Sequence, residues 1–146
     1  MNYQIGETGK IIVMRFKDGD EILKGLADVC KKENIRTGIV YLIGGIKDGN
    51  IVVGPEKDEL PPVPVWRELT ESYETLGIGT IFWHNDEPKI HLHGSYGKRD
   101  SVKTGCLRES GRAFIVMEAV IIEIKGVSAT REFDQASNMV LLKLHP

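Results

Sequence analysis

The sequence predicts an α+β fold: a single compact domain, residues 1–146, made mainly of antiparallel β-sheet with one or two flanking helices. Three observations carry this expectation. Only one early segment spaces its apolar residues as a helix does. From residue 36 onward, short runs of Ile, Val, Leu, Tyr, Phe and Trp alternate with turn residues, the signature of antiparallel strands. And 146 residues, 41% hydrophobic and 27% charged, suit one ordinary domain with a real core.

The elements follow in order. Residues 10–16, rich in β-branched side chains, read as a first strand that ends at Asp18-Gly19-Asp20-Glu21. Asp18 with Glu21 three positions on has the pattern of an N-cap and its capping-box partner. Ile22, Leu23, Leu26, Val29 and Cys30 then recur at helical spacing, with Asn34 as the stop. Cys30 lies on the apolar stripe, where a buried and inert thiol is expected. Residues 37–46 and 50–54 read as neighbouring strands around a turn at Lys47-Asp48-Gly49. The proline-rich 60–64 reads as a loop, because proline removes ladder donors. Strands at 65–71, 74–84, 89–97, 102–108 and 113–125 follow, with a last pair at 128–133 and 139–144. Gly77 and Gly79 put two bare positions on one face of a strand, which signals close packing from a neighbour.

Several classes are disfavoured at once. A net charge of −2 argues against a chain whose main work is neutralising phosphates. The N-terminus lacks the charged start and apolar run of a secretory signal, and no apolar segment approaches a membrane span, so the expectation is a cytoplasmic protein with no membrane partner. In a reducing compartment Cys30 and Cys106 are expected to stay unpaired.

The chemistry concentrates at His91-Leu92-His93, which holds two of the four histidines. On a strand, positions i and i+2 share a face roughly 6.5–7 Å apart, so both imidazoles point the same way and can converge on one ion. A polar strand face that happens to carry two histidines is the plain alternative. A hairpin turn centred on Arg99-Asp100 would place Cys106 directly opposite His93, within reach of the same ion, whereas a one-residue slip would send it to the other face. The preceding turn, centred between Asp86 and Glu87, would put His84 on the face of His91 as an outer participant. The expected metal ligands are therefore His91, His93 and Cys106, with zinc as the candidate ion and one coordination position left open.

Two other chemistries fit less well. A cupin site also begins His-x-His but expects a glutamate four or five residues later, where this chain has Gly97 and Lys98. Cys106 with His93 could form a thiolate–imidazolium nucleophile, yet no third orienting group is visible. Lys98, Arg99, Lys103, Arg108 and Arg112 cluster around the hairpin. Asp100 and Glu109 interrupt them and no aromatic residues interleave, which favours a solvated rim over a nucleic-acid surface.

Taken together, the Asp18-to-Ile22 helix start, Tyr41-Leu42-Ile43-Gly44-Gly45, residues 73–81, Ile90-His91-Leu92-His93-Gly94, Gly105-Cys106-Leu107 and residues 116–122 resemble the plant and prokaryote conserved (PPC) domain family. Prokaryotic members carry a DNA-binding label, and in plants the domain follows AT-hook motifs in nuclear proteins. The resemblance implies a homotrimer, with the strand at 74–81 aligned to the region linked in plants to partner recruitment. In the family pattern the position of Cys106 is usually histidine, so this chain exchanges one zinc-competent ligand for another. No Arg-Gly-Arg tripeptide of the AT-hook kind is present, which removes the element that binds the minor groove in the plant proteins. The expectation is a homotrimeric PPC-domain protein with a metal or ligand site and a regulatory or DNA-associated binding role. The alternative is a metal-dependent enzyme acting on a small molecule at the same cluster, with His84 or Glu118 as general acid or base.

Overall fold

A computed structural model describes residues 1–146. In chain order the elements are β1 (Glu7–Lys17), α1 (Ile22–Glu33), β2 (Thr37–Pro55), β3 (Pro64–Leu69), β4 (Tyr73–His84), β5 (Glu87–Lys98), β6 (Ser101–Lys125), β7 (Ala129–Asp134) and β8 (Met139–Leu144). All strand pairs are antiparallel. The predicted α+β class holds, with one helix.

Two predicted pairs of strands, 37–46 with 50–54 and 102–108 with 113–125, are instead single long strands. β2 runs 19 residues through the expected turn at 47–49, and β6 runs 25 residues through 109–112. They pair with each other along almost their whole length, and that mutual ladder outweighs the local turn signals. Lys47 and Asp48 fit within β2 because each charge has a partner, Asp18 and Arg112 respectively. Register shifts near Gly44/Gly45, Ile46/Asp48 and Gly49/Asn50 bend the pair. Gly44 is required at the first of these. It has φ +138°, and a Cβ there would lie 2.5 Å from the Val116 carbonyl oxygen.

The bending closes the sheet on itself. β2 pairs β4, β4 pairs β5, β5 pairs the first part of β6, and β6 returns to β2. β1 and β3 extend the ring at its edges, and β7–β8 form a separate hairpin. Val40, Leu42, Ile81, Leu92, Tyr96, Leu107, Met117 and Ile121 fill the inside of the curl, packed with Ile22, Leu26 and Cys30 of α1. The bare positions Gly77 and Gly79 face this interior, against Leu42, Val40 and Leu92.

The helix starts differently from the expectation. Its N-cap is Glu21, with no side-chain cap. Asp18 is engaged elsewhere: its carboxylate accepts from the Ile115 backbone N–H at 2.9 Å and from Lys47 at 2.7 Å. Ile115 has φ +59°, an uncommon conformation for a β-branched residue, and Asp18 holds the strand there. The C-terminal end is as predicted. Asn34 is left-handed at φ 55°, and its N–H turns back to the carbonyls of Cys30 and Lys31.

Candidate metal centre

The β5–β6 hairpin turns at Arg99-Asp100, and His93 lies opposite Cys106 as the sequence arithmetic expected. The ring closure extends that pair into a transverse row. Ile78 of β4, His93, Cys106, Val52 of β2 and Trp66 of β3 are successive partners across five strands. This row lies on the outer face of the sheet, since Leu92 and Leu107, the chain neighbours of His93 and Cys106, belong to the core.

On that face His91 Nε2 and His93 Nε2 stand 3.0 Å apart, with the rings edge to face at 78°. The ligand atoms of His91, His93 and Cys106 all lie within 4.8 Å of one another. Tetrahedral zinc bonds of about 2.0–2.1 Å to nitrogen and 2.3 Å to sulfur imply ligand separations of roughly 3.3–3.6 Å. The two nitrogens are already close to that spacing, and a small side-chain adjustment completes the set. Two imidazoles and a thiol are also the donor chemistry zinc favours, so the residues present fit the ion.

The electrostatics agree. Burial of the ring, with the like charges of His93, Arg131 and Arg108 adding to it, pulls the His91 pKa from 6.5 down to about 4. Although part of the side chain is exposed, its ring is therefore neutral at physiological pH, the state a ligand needs. Cys106 is only 4% exposed, and burial raises its thiol pKa against the pull of Arg108, the Leu92 backbone and Arg131. Without a metal it stays protonated, which speaks against a free thiolate nucleophile. A bound cation would favour the thiolate.

His84 does not join the cluster. The β4–β5 turn is two residues, Asn85-Asp86, so His84 pairs Glu87 at the strand end and its Nδ1 bonds the Arg131 carbonyl at 2.8 Å. That bond links the end of β4 to β7 of the last hairpin. Glu118 pairs Ile43 and Arg15, well along β6 from Cys106, and is not among the grouped ligands. The basic rim is largely engaged as well. Lys98 pairs Glu71, Arg112 pairs Asp48, and Lys103 lies on Tyr73.

The β7–β8 hairpin roofs the site. Between it and the sheet lies a cleft of about 870 Å³ whose walls include His91, His93, Cys106, Trp66, Arg108 and Arg131. Sequence reasoning missed Arg131, a single arginine in a short amphipathic strand. No local pattern announces that a distant hairpin folds onto β5.

A model of the Plants and Prokaryotes Conserved (PCC) domain matches residues 3–125. The chain belongs to that family. The β7–β8 hairpin lies beyond the matched segment. Solved structures share the fold. A plant- and prokaryote-conserved (PPC) protein from Pyrococcus horikoshii is 28% identical, covering 100% of both chains at a TM-score of 0.84. A metal-containing protein from Archaeoglobus fulgidus is 24% identical over 98% of this chain and 99% of its own, TM-score 0.85. A protein from Ralstonia eutropha JMP134, named a putative DNA-binding protein, is 18% identical over 91% and 90%, TM-score 0.77. The last two likenesses speak to the fold alone. A comparison with curated proteins gave no match.

Proposed function

We propose that this PCC-domain chain, acting as one domain over residues 1–146, is a self-associating cytoplasmic protein that holds one metal ion, zinc by preference, at His91, His93 and Cys106 in a binding or regulatory role. The carrying observation is the convergence of the three ligand atoms on the outer face of β5 and β6. The name of the Archaeoglobus fulgidus relative, a metal-containing protein, supports it. Both cysteines are free, and no helix is long and apolar enough to cross a membrane. Elemental analysis of untagged protein tests the site. About one zinc per chain is expected, falling to near zero in His91→Ala and Cys106→Ala. Substoichiometric metal, or metal retained in both variants, removes the proposal.

Self-association as a homotrimer is supported by the sheet face beside the site. Tyr41, Ile43, Leu76 and Ile78 are neighbours on β2 and β4 and are 46–65% exposed, with Val13 at 78% on the same face across β6. A second copy of the chain would cover a patch that isolated proteins rarely leave bare. Light scattering should give three times the 16.3 kDa chain mass, and Ile78→Glu should lower it. A monomer at micromolar concentration in the wild type would count against assembly.

A metal-dependent enzyme is the second reading, favoured by the cleft that opens onto the cluster. A zinc ion with a free position would supply Lewis acidity there. Turnover of small hydrolase or lyase substrates that vanishes in His93→Ala would establish it. DNA association draws on the naming of relatives such as the Ralstonia protein. Binding that weakens steeply with salt is its expected mark, and failure to retard duplex DNA at low salt would end it.

A further inference from the structure

Arg131 is 7% exposed and lies in no ion pair with any carboxylate. A buried guanidinium without an acidic partner is costly, and natural proteins rarely leave one uncompensated. Its guanidinium lies over the Phe82 ring, 5.7 Å from the centroid, but its polar contacts use little of its donor capacity. Of five N–H donors, one reaches Thr80 Oγ1 at 2.9 Å and one makes a long 3.4 Å contact to the Lys89 carbonyl, which leave the remaining edge on the cleft. Arg108, also on the cleft wall, has no acidic partner either, and Lys89 adds a third unpaired cation. Glu109 is the sole acidic residue on the wall.

The positive charge is therefore concentrated where a cation is also expected to bind. The fields of Arg108 and Arg131 both act on His91 and on Cys106. A divalent metal with one thiolate still leaves net positive charge, to which the two arginines add. Like charges so placed in a partly desolvated cleft repel strongly unless an anion separates them. Trp66, Pro64, Ile90, Met139 and Leu141 give the rest of the wall an apolar stretch, beside the polar Ser137 and Asn138.

The geometry points to a binding site for a small organic anion, with its acidic head between Arg131 and Arg108 beside the His91/His93/Cys106 cluster and its apolar or aromatic body along Trp66 and Leu141. This deepens the metal-site proposal and rests on it for the third anchor of the head group, while the arginines supply the other two. Carboxylates and phosphate monoesters share the required chemistry. Arg131 would take either through its planar fork, for which lysine is a poor substitute.

The probes are benzoate and phenyl phosphate, with benzyl alcohol as the neutral control, titrated into cobalt-loaded and metal-free protein. Cobalt visible absorption reports the metal and, in a Trp83→Phe background, Trp66 fluorescence reports the cleft. Saturable binding of at least one anion is expected, with a change in the cobalt bands and no response to the alcohol. Arg108→Gln, whose side chain holds no other element, should weaken it about tenfold or more, and Arg131→Gln at least as much. Arg131→Lys should recover only part. If cobalt is not taken up but arginine-dependent benzoate quenching persists, the anion site stands and the metal reading fails. If cobalt binds and neither anion does, or the alcohol binds equally, or Arg108→Gln leaves the affinity unchanged, the anion site is overturned.

Discussion

Gly79→Ala probes how closely the core and the site are coupled. Gly79 faces the interior of the curl, and a Cβ there would stand 2.9 Å from the His91 carbonyl oxygen and 3.1 Å from both Leu92 Cδ1 and Val40 Cγ1. The two side chains are buried, and the oxygen belongs to the β4–β5 ladder, so none of the three can retreat freely. Overpacking of this kind costs typically 1–3 kcal/mol, and the smaller entropy of the unfolded alanine chain offsets about 0.4–1 kcal/mol. A net loss of about 1–2 kcal/mol follows, or roughly 3–6 °C in Tm for a chain of this size. The displaced carbonyl is that of a proposed ligand, so zinc affinity should fall as well, although Gly79 lies on the opposite face of the sheet from the metal. Denaturant unfolding and competition with a zinc chelator measure the two effects. Wild-type stability together with wild-type zinc affinity would refute the coupling.

Thr75→Val should stabilise the fold by about 1 kcal/mol in denaturant titrations, because Thr75 Oγ1 is buried with no hydrogen-bond partner and valine removes the group without leaving a cavity. A loss of stability would mean that the hydroxyl has a partner. Burial raises the Cys30 thiol from 9.0 to about 11. The thiol is favoured in the folded state, so its contribution is full below pH 9 and declines as pH rises toward 11. Stability measured across that window should fall more steeply in wild type than in Cys30→Val, and parallel curves would show that Cys30 does not titrate this way. His84→Ala removes the bond to the Arg131 carbonyl and should speed amide exchange in β7 and β8 by about fivefold, from a loss of roughly 1 kcal/mol. Zinc stoichiometry should not change, since His84 lies outside the cluster. Loss of metal in that variant would return His84 to the site.

The local part of the structure was legible in the residues. Alternation put His91 and His93 on one face, and turn chemistry at Arg99-Asp100 fixed the register that opposes His93 to Cys106, because side-chain period and loop length are properties of adjacent residues. The apolar stripe of α1 and its stop at Asn34 were legible for the same reason. The uninterrupted runs of β2 and β6 were not. Lys47-Asp48-Gly49 carries a turn signal, and only the long ladder between the two strands, with Asp18 and Arg112 answering its charges, keeps it extended. Nor could Asp18 be seen to hold Ile115, 97 positions away, instead of capping its own helix. The sequence by itself determined the α+β class and the three candidate ligands. Tertiary structure alone decided what surrounds them, because closing the ring set Val52 and Trp66 beside Cys106 and folding the last hairpin over β4 and β5 carried the unpaired Arg131 into the cleft.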